Sequence, residues 1–297
     1  MKRINMRAMA KIKIGLDVIR KREDGYHDLK MIMQTVRWYD RIALTVTAAK
    51  GIRLKTHVGF LGDDENNLAY RAARLLLDEF PPDQGLYIDL EKHIPVAAGL
   101  GGGSSDAAAV LVGVNRLFDL GLSRPELMER AVSLGADVPY CILRGSALAE
   151  GIGEKLTPLP PLPPCFVLLA KPAVHVSTKF VYTNLHLSDR TVHPDIDGQV
   201  QAIREGDLRR IAGKMGNVLE EVTIPAFPVI ARIRDEMLQR GALGAMMSGS
   251  GPTVFGLFEE EAAARGAANA FRENQLARQI CLTTFYPGSG EENGGGL

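Results

Sequence analysis

The amino-acid sequence predicts an α+β fold, in which strands and helices follow one another without a regular β–α–β alternation. Alternating apolar and polar residues dominate the first fifty positions, whereas apolar residues at helical spacing begin near residue 67. The 297 residues are enough for one large domain or two ordinary ones. A composition of 46% hydrophobic and 24% charged residues is typical of a globular protein and excludes disorder as the main state.

The first strand is predicted over residues 8–18, where the even positions are apolar. Lys11, Lys13 and Asp17 occupy odd positions, so the pattern indicates a half-buried strand with both lysines on one face. The segment from Asp24 to His27 reads Asp-Gly-Tyr-His and is typical of a turn. Two further strands are predicted over residues 29–38 and 41–47.

Helical spacing and capping residues predict the next elements. A helix is expected over residues 67–80, a short strand over 86–90, and a second helix over 104–118 with Ser104 or Ser105 as its N-cap. Ser123 and Glu126 form a capping box, which opens a third helix that should end near Gly135. Asp137 lies just beyond that end.

A proline-rich stretch over residues 158–164 is the predicted seam between two halves, because proline continues neither a helix nor a central strand. We therefore predict an N-terminal domain over residues 1–157 and a C-terminal domain over 158–287. The second is expected to contain a strand over 166–170, a helix over 228–240 and a strand over 253–258. Residues 288–297 are rich in Gly and Glu and are predicted to be a disordered tail.

Charge and cysteine usage restrict the partners. The chain has 35 Lys and Arg against 35 Asp and Glu, so it lacks the basic excess that holds a nucleic acid. Three distant cysteines without a Cys-x-x-Cys motif predict neither a disulfide framework nor a zinc site, and they fit the reducing cytoplasm. No apolar run approaches the roughly 18 residues of a membrane span. We expect a cytoplasmic protein that acts on small molecules.

A glycine-rich segment precedes the second helix and is the strongest candidate for a phosphate site. Its small side chains let backbone N–H groups approach an anion, and the helix N-terminus adds a positive dipole end. The alternative is a flexible loop or a packing turn. The segment consists of Pro95, Val96, Ala97, Ala98, Gly99, Leu100, Gly101, Gly102, Gly103, Ser104 and Ser105.

The common nucleotide and hydrolase motifs do not fit this segment. A P-loop needs Gly-Lys-Ser/Thr, but Gly103 is followed by two serines. A Rossmann fingerprint needs a glycine where Ser104 stands. The sequence also lacks a Gly-x-Ser-x-Gly elbow, the protein-kinase signatures and a His-Glu-x-x-His zinc motif.

The glycine-rich segment instead resembles the second motif of the GHMP kinases, a superfamily of small-molecule kinases, and residues 244–253 resemble their third motif. Residues 10–12 (Ala-Lys-Ile), 21–27 (Lys-Arg-Glu-Asp-Gly-Tyr-His) and 135–139 (Gly-Ala-Asp-Val-Pro) are similar to the branch that phosphorylates a cytidine-diphosphate-linked methylerythritol. The likeness runs from about residue 8 to residue 258, and its motifs occur in the family's order.

This resemblance implies a GHMP kinase-like two-domain fold with the active site in the cleft between the domains. The implied reaction is ATP-dependent phosphorylation of the substrate's 2-hydroxyl, a step of the non-mevalonate isoprenoid route. ATP, with Mg²⁺ as the ATP complex, is the implied cofactor, and no metal site built by the protein is predicted. The alternatives are another GHMP kinase, acting on homoserine, mevalonate or a sugar, and a non-catalytic ligand sensor.

The resemblance also assigns catalytic residues. Asp137 matches the family's base, and Lys11 matches the lysine that contacts the acceptor hydroxyl and the phosphate. From the residues alone, Asp137 could equally be a helix cap and Lys11 a solvated strand residue. Lys13 departs from the family, which usually has asparagine there. We hypothesise that Lys13 contacts phosphate and makes Lys11 easier to deprotonate.

The remaining assignments concern ligand binding. The implied cytosine site comprises Tyr26, His27 and Tyr182. Asn67 and Lys92 match positions that line the adenine pocket, and the Ser105 hydroxyl is expected on Mg²⁺ or a phosphate oxygen. The predicted wall near the substrate diphosphate and the nucleotide loop consists of Ser248, Gly249 and Ser250.

Overall fold

The computed structural model describes residues 2–288 and contains two β-sheets with helices packed against them. Apart from Gly288, the predicted tail over 288–297 lies outside the described residues. The mixed architecture confirms the α+β prediction. Among the described residues, no helix combines the length and the apolar character needed to cross a membrane.

The first sheet has the strand order β3-β4-β2-β5-β6, and β1 pairs with β2 outside that path. All pairs are antiparallel except β3 with β4. The strands are β1 (Arg3–Lys21), β2 (His27–Thr47), β3 (Ile52–Thr56), β4 (Gly85–Glu91), β5 (Ser146–Gly151) and β6 (Lys155–Leu159).

Two strand predictions need correction. The strands predicted over 29–38 and 41–47 are a single strand, β2, because Asp40 is buried within it and pairs with β1 rather than turning the chain. The half-buried strand is buried on both faces: Lys11 is 3% exposed, and Lys13 and Asp17 are also buried. An alternating pattern shows which residues are polar, but it does not show whether other parts of the chain cover the polar face.

Four α-helices accompany this sheet in the described chain: α1 (Leu68–Glu79), α2 (Gly102–Leu117), α3 (Arg124–Ala131) and α4 (Val138–Leu143). Asn67 caps α1 by accepting from the Ala69 N–H, and the capping box of α3 is present, so both predicted helix starts are confirmed. Helix α2 begins two residues earlier than predicted. Its N-cap is Gly101, with φ of 66°, rather than Ser104 or Ser105.

The second sheet is antiparallel, with the order β10-β7-β9-β8. The predicted strands over 166–170 and 253–258 and the helix over 228–240 are confirmed to within two residues. The strands are β7 (Phe166–Lys171), β8 (Gly244–Met247), β9 (Val254–Phe258) and β10 (Gln279–Thr284). The helices are α5 (Thr178–Asn184), α6 (Ile196–Glu205), α7 (Leu208–Gly213), α8 (Glu220–Ala226), α9 (Val229–Gln239) and α10 (Glu261–Glu273).

The predicted domain boundary falls inside β6, an edge strand that accommodates Pro158 and ends at Leu159. The two halves are also joined beyond that point. The Leu16 N–H donates to the carbonyl of Gly216, and Val36 forms a bridge with Phe285. The division at residue 157 stays a prediction. The contacts between the two halves contribute to the burial of β1.

Two glycine-to-alanine substitutions should have opposite effects on stability. A Cβ at Gly85, the first residue of β4, would lie 2.0 Å from the carbonyl oxygen of Ala49, so Gly85→Ala should lower the free energy of unfolding by about 1–3 kcal/mol. Gly266 lies on an exposed part of α10 with no atom near a built Cβ, so Gly266→Ala should raise stability by up to about 1 kcal/mol. Urea denaturation of both variants checks this, and equal stabilities would contradict it.

Candidate active site

A cavity of about 420 Å³ opens where the glycine-rich segment of the first half faces loops of the second half. Most of the predicted site residues lie on its wall. They are Lys11, Lys13, Asn67, Lys92, Pro95, Val96, Ala97, Ala98, Gly99, Gly101, Gly102, Gly103, Ser104, Asp137, Tyr182, Gly249 and Ser250. The wall also includes residues that the sequence analysis did not single out as site residues: Leu61, Asn66, Leu68, Asp106 and Thr178.

Helix α2 starts at the cavity. The N–H groups of its first turn have no acceptor within the helix, because an α-helix bonds each N–H to the carbonyl four residues earlier. Gly101 precedes this turn in the left-handed region, and a Cβ there would lie 2.7 Å from Cε of Lys11. Glycine therefore allows the lysine side chain to pass against the helix start, which places an ammonium next to free backbone donors.

Lys11 and Asp137 meet in the cavity. The Lys11 Nζ lies 3.2 Å from Asp137 Oδ2, and the Lys13 Nζ lies 3.8 Å from Asp137 Oδ1. Strand β1 supplies both lysines from one face, as predicted, and Asp137 immediately precedes α4. Its side chain does not cap that helix, so the capping interpretation is wrong. One carboxylate thus faces two ammonium groups.

This arrangement shifts the pKa values of the pair. Burial acts to raise the pKa of Asp137, but Lys11 and Lys13 outweigh it and hold that pKa well below its usual range. Burial lowers the pKa of Lys11; Asp137 opposes this effect, Lys13 adds to it, and the net shift is downward. Asp137 is therefore ionised at neutral pH, and Lys11 loses its proton more easily than an ordinary lysine.

A loop of the second half closes the cavity against Gly99. Ser248 is buried and donates to the Gly99 carbonyl at 3.0 Å, and the Lys11 ammonium donates to the same oxygen at 3.3 Å. Ser248 thus joins the halves and does not line the cavity, in contrast to the predicted wall. Ser250 and Thr178 share a hydroxyl hydrogen bond of 2.8 Å, and Asn217 donates to the Gly249 carbonyl.

The predicted cytosine residues are only partly brought together. The rings of His27 and Tyr182 lie 5.1 Å apart at an angle of 38°. Burial lowers the pKa of His27, with a contribution from Lys21, which favours the neutral ring at pH 7. Tyr26 is 61% exposed and is not part of the cavity wall. It follows a turn in which Asp24 accepts from the Tyr26 N–H, so this turn carries the ring outward.

Two residues of the glycine-rich segment face away from the cavity. The Ser105 hydroxyl is buried and donates to the Met9 carbonyl at 2.6 Å, so the structure does not place it for a phosphate or Mg²⁺. The Leu100 side chain belongs to the apolar core, and its carbonyl accepts from the Lys11 N–H. Both residues attach the segment to β1 instead of binding a ligand.

The two adenine-pocket residues are both engaged with the protein. The Asn67 side chain caps α1 and donates to the Gly62 carbonyl at 3.1 Å. The Lys92 ammonium contacts Asp40 and Asp106, neither of which the sequence analysis assigned to the site. The sequence offers one signal for the role of Asp40, which is an acidic residue between two predicted strands.

The residues near the cavity do not fit a metal ion held by the protein alone. Within residues 2–288, no group of three or more His, Cys, Asp or Glu side chains is placed to hold one. The two carboxylates of the cavity wall, Asp137 and Asp106, each contact an ammonium group. Mg²⁺ prefers several oxygen ligands in octahedral geometry, which these residues do not provide.

Comparisons with known proteins show which family the chain belongs to. Residues 67–145 match the family model for the GHMP kinases N terminal domain, and residues 199–276 match that for the GHMP kinases C terminal domain. The 4-diphosphocytidyl-2-C-methyl-D-erythritol kinase of Lachnospira eligens is 54% identical over 97% of this chain and 100% of its own length. The chain belongs to this kinase family.

Solved structures extend the comparison. The crystal structure of a 4-(cytidine 5'-diphospho)-2C-methyl-D-erythritol kinase, 36% identical, matches with a TM-score of 0.81 over 97% of this chain and 100% of that one. Homoserine kinase from Cytophaga hutchinsonii matches with a TM-score of 0.78 at 22% identity, over 97% of this chain and 96% of that one. The second likeness shows the GHMP kinase fold alone, and it confirms the predicted fold class.

Replacing Lys13 should move the pH dependence of the enzyme. Because the Lys13 charge lowers the pKa of both Lys11 and Asp137, Lys13→Asn should raise both. The alkaline loss of kcat that reports deprotonation of Lys11 should therefore shift to higher pH. Profiles of kcat against pH for wild type and Lys13→Asn check this. Lys55→Asn, an exposed substitution on β3, is the control. Superimposable profiles would refute the effect of Lys13.

Proposed function

We propose that the protein transfers the γ-phosphoryl group of ATP to the 2-hydroxyl of 4-(cytidine 5'-diphospho)-2-C-methyl-D-erythritol, giving the 2-phosphate and ADP. This is a step of the non-mevalonate route to isoprenoid precursors. The observation that carries the proposal is the Lys11–Asp137 pair beside the start of α2 in one cavity, in a chain that is 54% identical to a kinase named for this substrate. A cytoplasmic location is also proposed, supported by three unpaired cysteines.

The phosphates of ATP are proposed to bind at the start of α2. The first-turn N–H groups and the helix dipole favour an anion there, and glycines keep side chains out of its way. Lys11, which passes against the helix start, and Lys13 add positive charge to the cavity. Mg²⁺ bound to ATP would neutralise part of the phosphate charge. The chain's own residues then hold the γ-phosphate next to the acceptor.

Asp137 is proposed to accept the proton of the 2-hydroxyl. Two ammonium groups keep its carboxylate ionised, which also makes it a weak base. A weak base suffices if the phosphoryl group is loosely bonded in the transition state, because the acceptor proton then becomes acidic only as the new P–O bond forms. Lys11 stabilises the oxygen that carries the developing charge. The carboxylate of Asp137 and the ammonium of Lys11 act as a unit.

The cytosine is proposed to lie against Tyr182 and His27, whose rings are 5.1 Å apart. Stacking alone would accept any base, so selectivity needs hydrogen-bonding groups fixed against the edge of the cytosine. The neutral imidazole favoured by burial can offer one donor and one acceptor. Tyr26 joins this site if the 22–26 turn folds inward on binding.

The substrate is tested by an ADP-release assay with the cytidine-diphosphate compound, its uridine counterpart and homoserine. We expect turnover with the first compound and, since the base is recognised, at least about a tenfold lower kcat/KM with the uridine compound. Homoserine should give no turnover. Equal use of both nucleotides, or turnover of homoserine, would contradict the proposed substrate.

Replacing Asp137 separates chemistry from binding. Asp137→Asn keeps the size of the side chain but removes the proton acceptor, so kcat should fall by a factor on the order of 10² or more. The affinity for ATP, measured by calorimetry, should change little because the start of α2 is untouched. Retained ATP binding also serves as the folding control. Near-normal kcat would remove Asp137 from the mechanism.

A further inference from the structure

Three charged side chains are buried together beneath the start of α2. Asp40 is 0% exposed, Lys92 is 9% exposed and Asp106 is 3% exposed. The Lys92 ammonium donates to Asp40 Oδ2 and, at 2.6 Å, to Asp106 Oδ2. Asp40 belongs to β2, Lys92 directly follows β4, and Asp106 belongs to α2. This acidic triad therefore ties the sheet to the helix whose first turn faces the cavity.

Asp40 also fixes the chain between β4 and the glycine-rich segment. Its Oδ1 accepts from the backbone N–H groups of His93 and Ile94, the latter at 2.7 Å. With Lys92 on Oδ2, the carboxylate has three donors, two from the backbone and one charged. These three donors hold the carboxylate of Asp40 in one orientation. Asp40 thus sets the position of residues 92–94 and of the Lys92 side chain.

Asp106 has a different environment. One of its oxygens contacts Lys92, but Oδ1 is buried and has no hydrogen-bond partner among the described residues. With both carboxylates ionised, the triad would carry one net negative charge away from water, which costs several kcal/mol. One added proton makes the triad as a whole neutral. Asp40 has three donors and Asp106 only one, so the proton belongs on Asp106.

The charge balance agrees with the direction of the shift. Burial raises the pKa of Asp106 well above its ordinary value; Lys92 opposes this effect, and Asp40 adds to it. For Lys92 the two carboxylates outweigh burial, so its pKa is raised and it stays charged. From α4, Cys141 also faces this region, and burial raises its pKa to about 12, so it stays neutral. From β1, Lys11 is directed to Asp137.

We propose that Asp106 carries a proton at neutral pH and that Asp40 is a positioning residue, which holds Lys92 and the neutral carboxyl of Asp106 on the wall of the nucleotide cavity. This rests on the proposed ATP-binding function of the cavity. Lys92 and Asp106 both line it, and a Cβ at Gly102 would lie 3.2 Å from the Lys92 Nζ. A neutral Asp106 adds no repulsion to a triphosphate bound one turn away, whereas an ionised one would.

The proton is tested by infrared difference spectroscopy and the positioning by calorimetry with ADP. Wild type at pH 7 should show the carbonyl band of a protonated carboxylic acid, and Asp106→Asn should remove it. The ADP affinity of the wild type should fall as rising pH ionises Asp106. The ADP affinity of Asp106→Asn should not show this fall. At pH 7, Asp106→Asn should bind ADP within about threefold of wild type, because asparagine resembles the neutral acid.

Asp40→Asn should bind ADP about tenfold more weakly with kcat little changed, since it weakens the hold on Lys92 and residues 92–94. Asp89→Asn, an exposed substitution on β4, is the control and should match wild type. Hydrogen exchange gives a second measurement on wild type: the His93 and Ile94 amides should be protected. Unprotected amides, or full ADP affinity in Asp40→Asn, would overturn the positioning role.

Absence of the acid band in wild type, or its persistence in Asp106→Asn, would overturn the protonation of Asp106. The same holds for an Asp106→Asn variant that binds ADP as weakly as Asp40→Asn. These failures differ from failure of the proposed function: a wild-type protein that binds no ADP would contradict the nucleotide site, while the infrared band and the amide protection would still test the triad.

Discussion

The contact between Lys11 and Asp137 is the interaction on which the site depends. This contact requires a lysine on a strand that is buried on both faces. It also requires an aspartate in the connection between α3 and α4, immediately before α4. Burying an ammonium is costly unless it is paired, so the carboxylate and the Gly99 carbonyl compensate the loss of water. Since Ser248 of the second half donates to the same carbonyl, the Lys11–Asp137 pair and the contact between the halves meet at Gly99.

The helix start lies between two charge clusters of opposite composition. Lys11, Lys13 and Asp137 put two ammonium groups on one carboxylate, which leaves a positive excess toward the cavity. The acidic triad puts two carboxylates on one ammonium. An anion at the helix start is attracted by the first cluster, and the second must be close to neutral for that attraction to be kept. In the proposed complex, the first cluster would attract the triphosphate and the second would form the wall beneath it.

The sequence predicted the elements whose signals are local. The apolar spacing that begins near residue 67 and the capping box at Ser123 place α1 and α3 correctly, and glycines before a helix indicate the cavity. Contacts between residues far apart in the chain could not be predicted from these local signals. Asp137 and the Gly99 carbonyl contact the lysines of β1, the Met9 carbonyl accepts from the Ser105 hydroxyl, and Asp40 joins a cluster with residues 52 and 66 positions further on. Lys11 and Asp137 were paired by resemblance and not by any pattern in their own spacing.

Lys13 shows how one added charge can alter the pKa of both Lys11 and Asp137. It lowers the pKa of Asp137, which makes the carboxylate a weaker base, and it lowers the pKa of Lys11, which makes the ammonium a stronger acid. These effects oppose each other in proton transfer from the hydroxyl, while the Lys13 charge itself raises the positive potential near the transferred phosphoryl group. If transfer of the phosphoryl group precedes loss of the proton, the potential matters more than the base strength. A lysine at this position is then compatible with catalysis, even though it weakens the base.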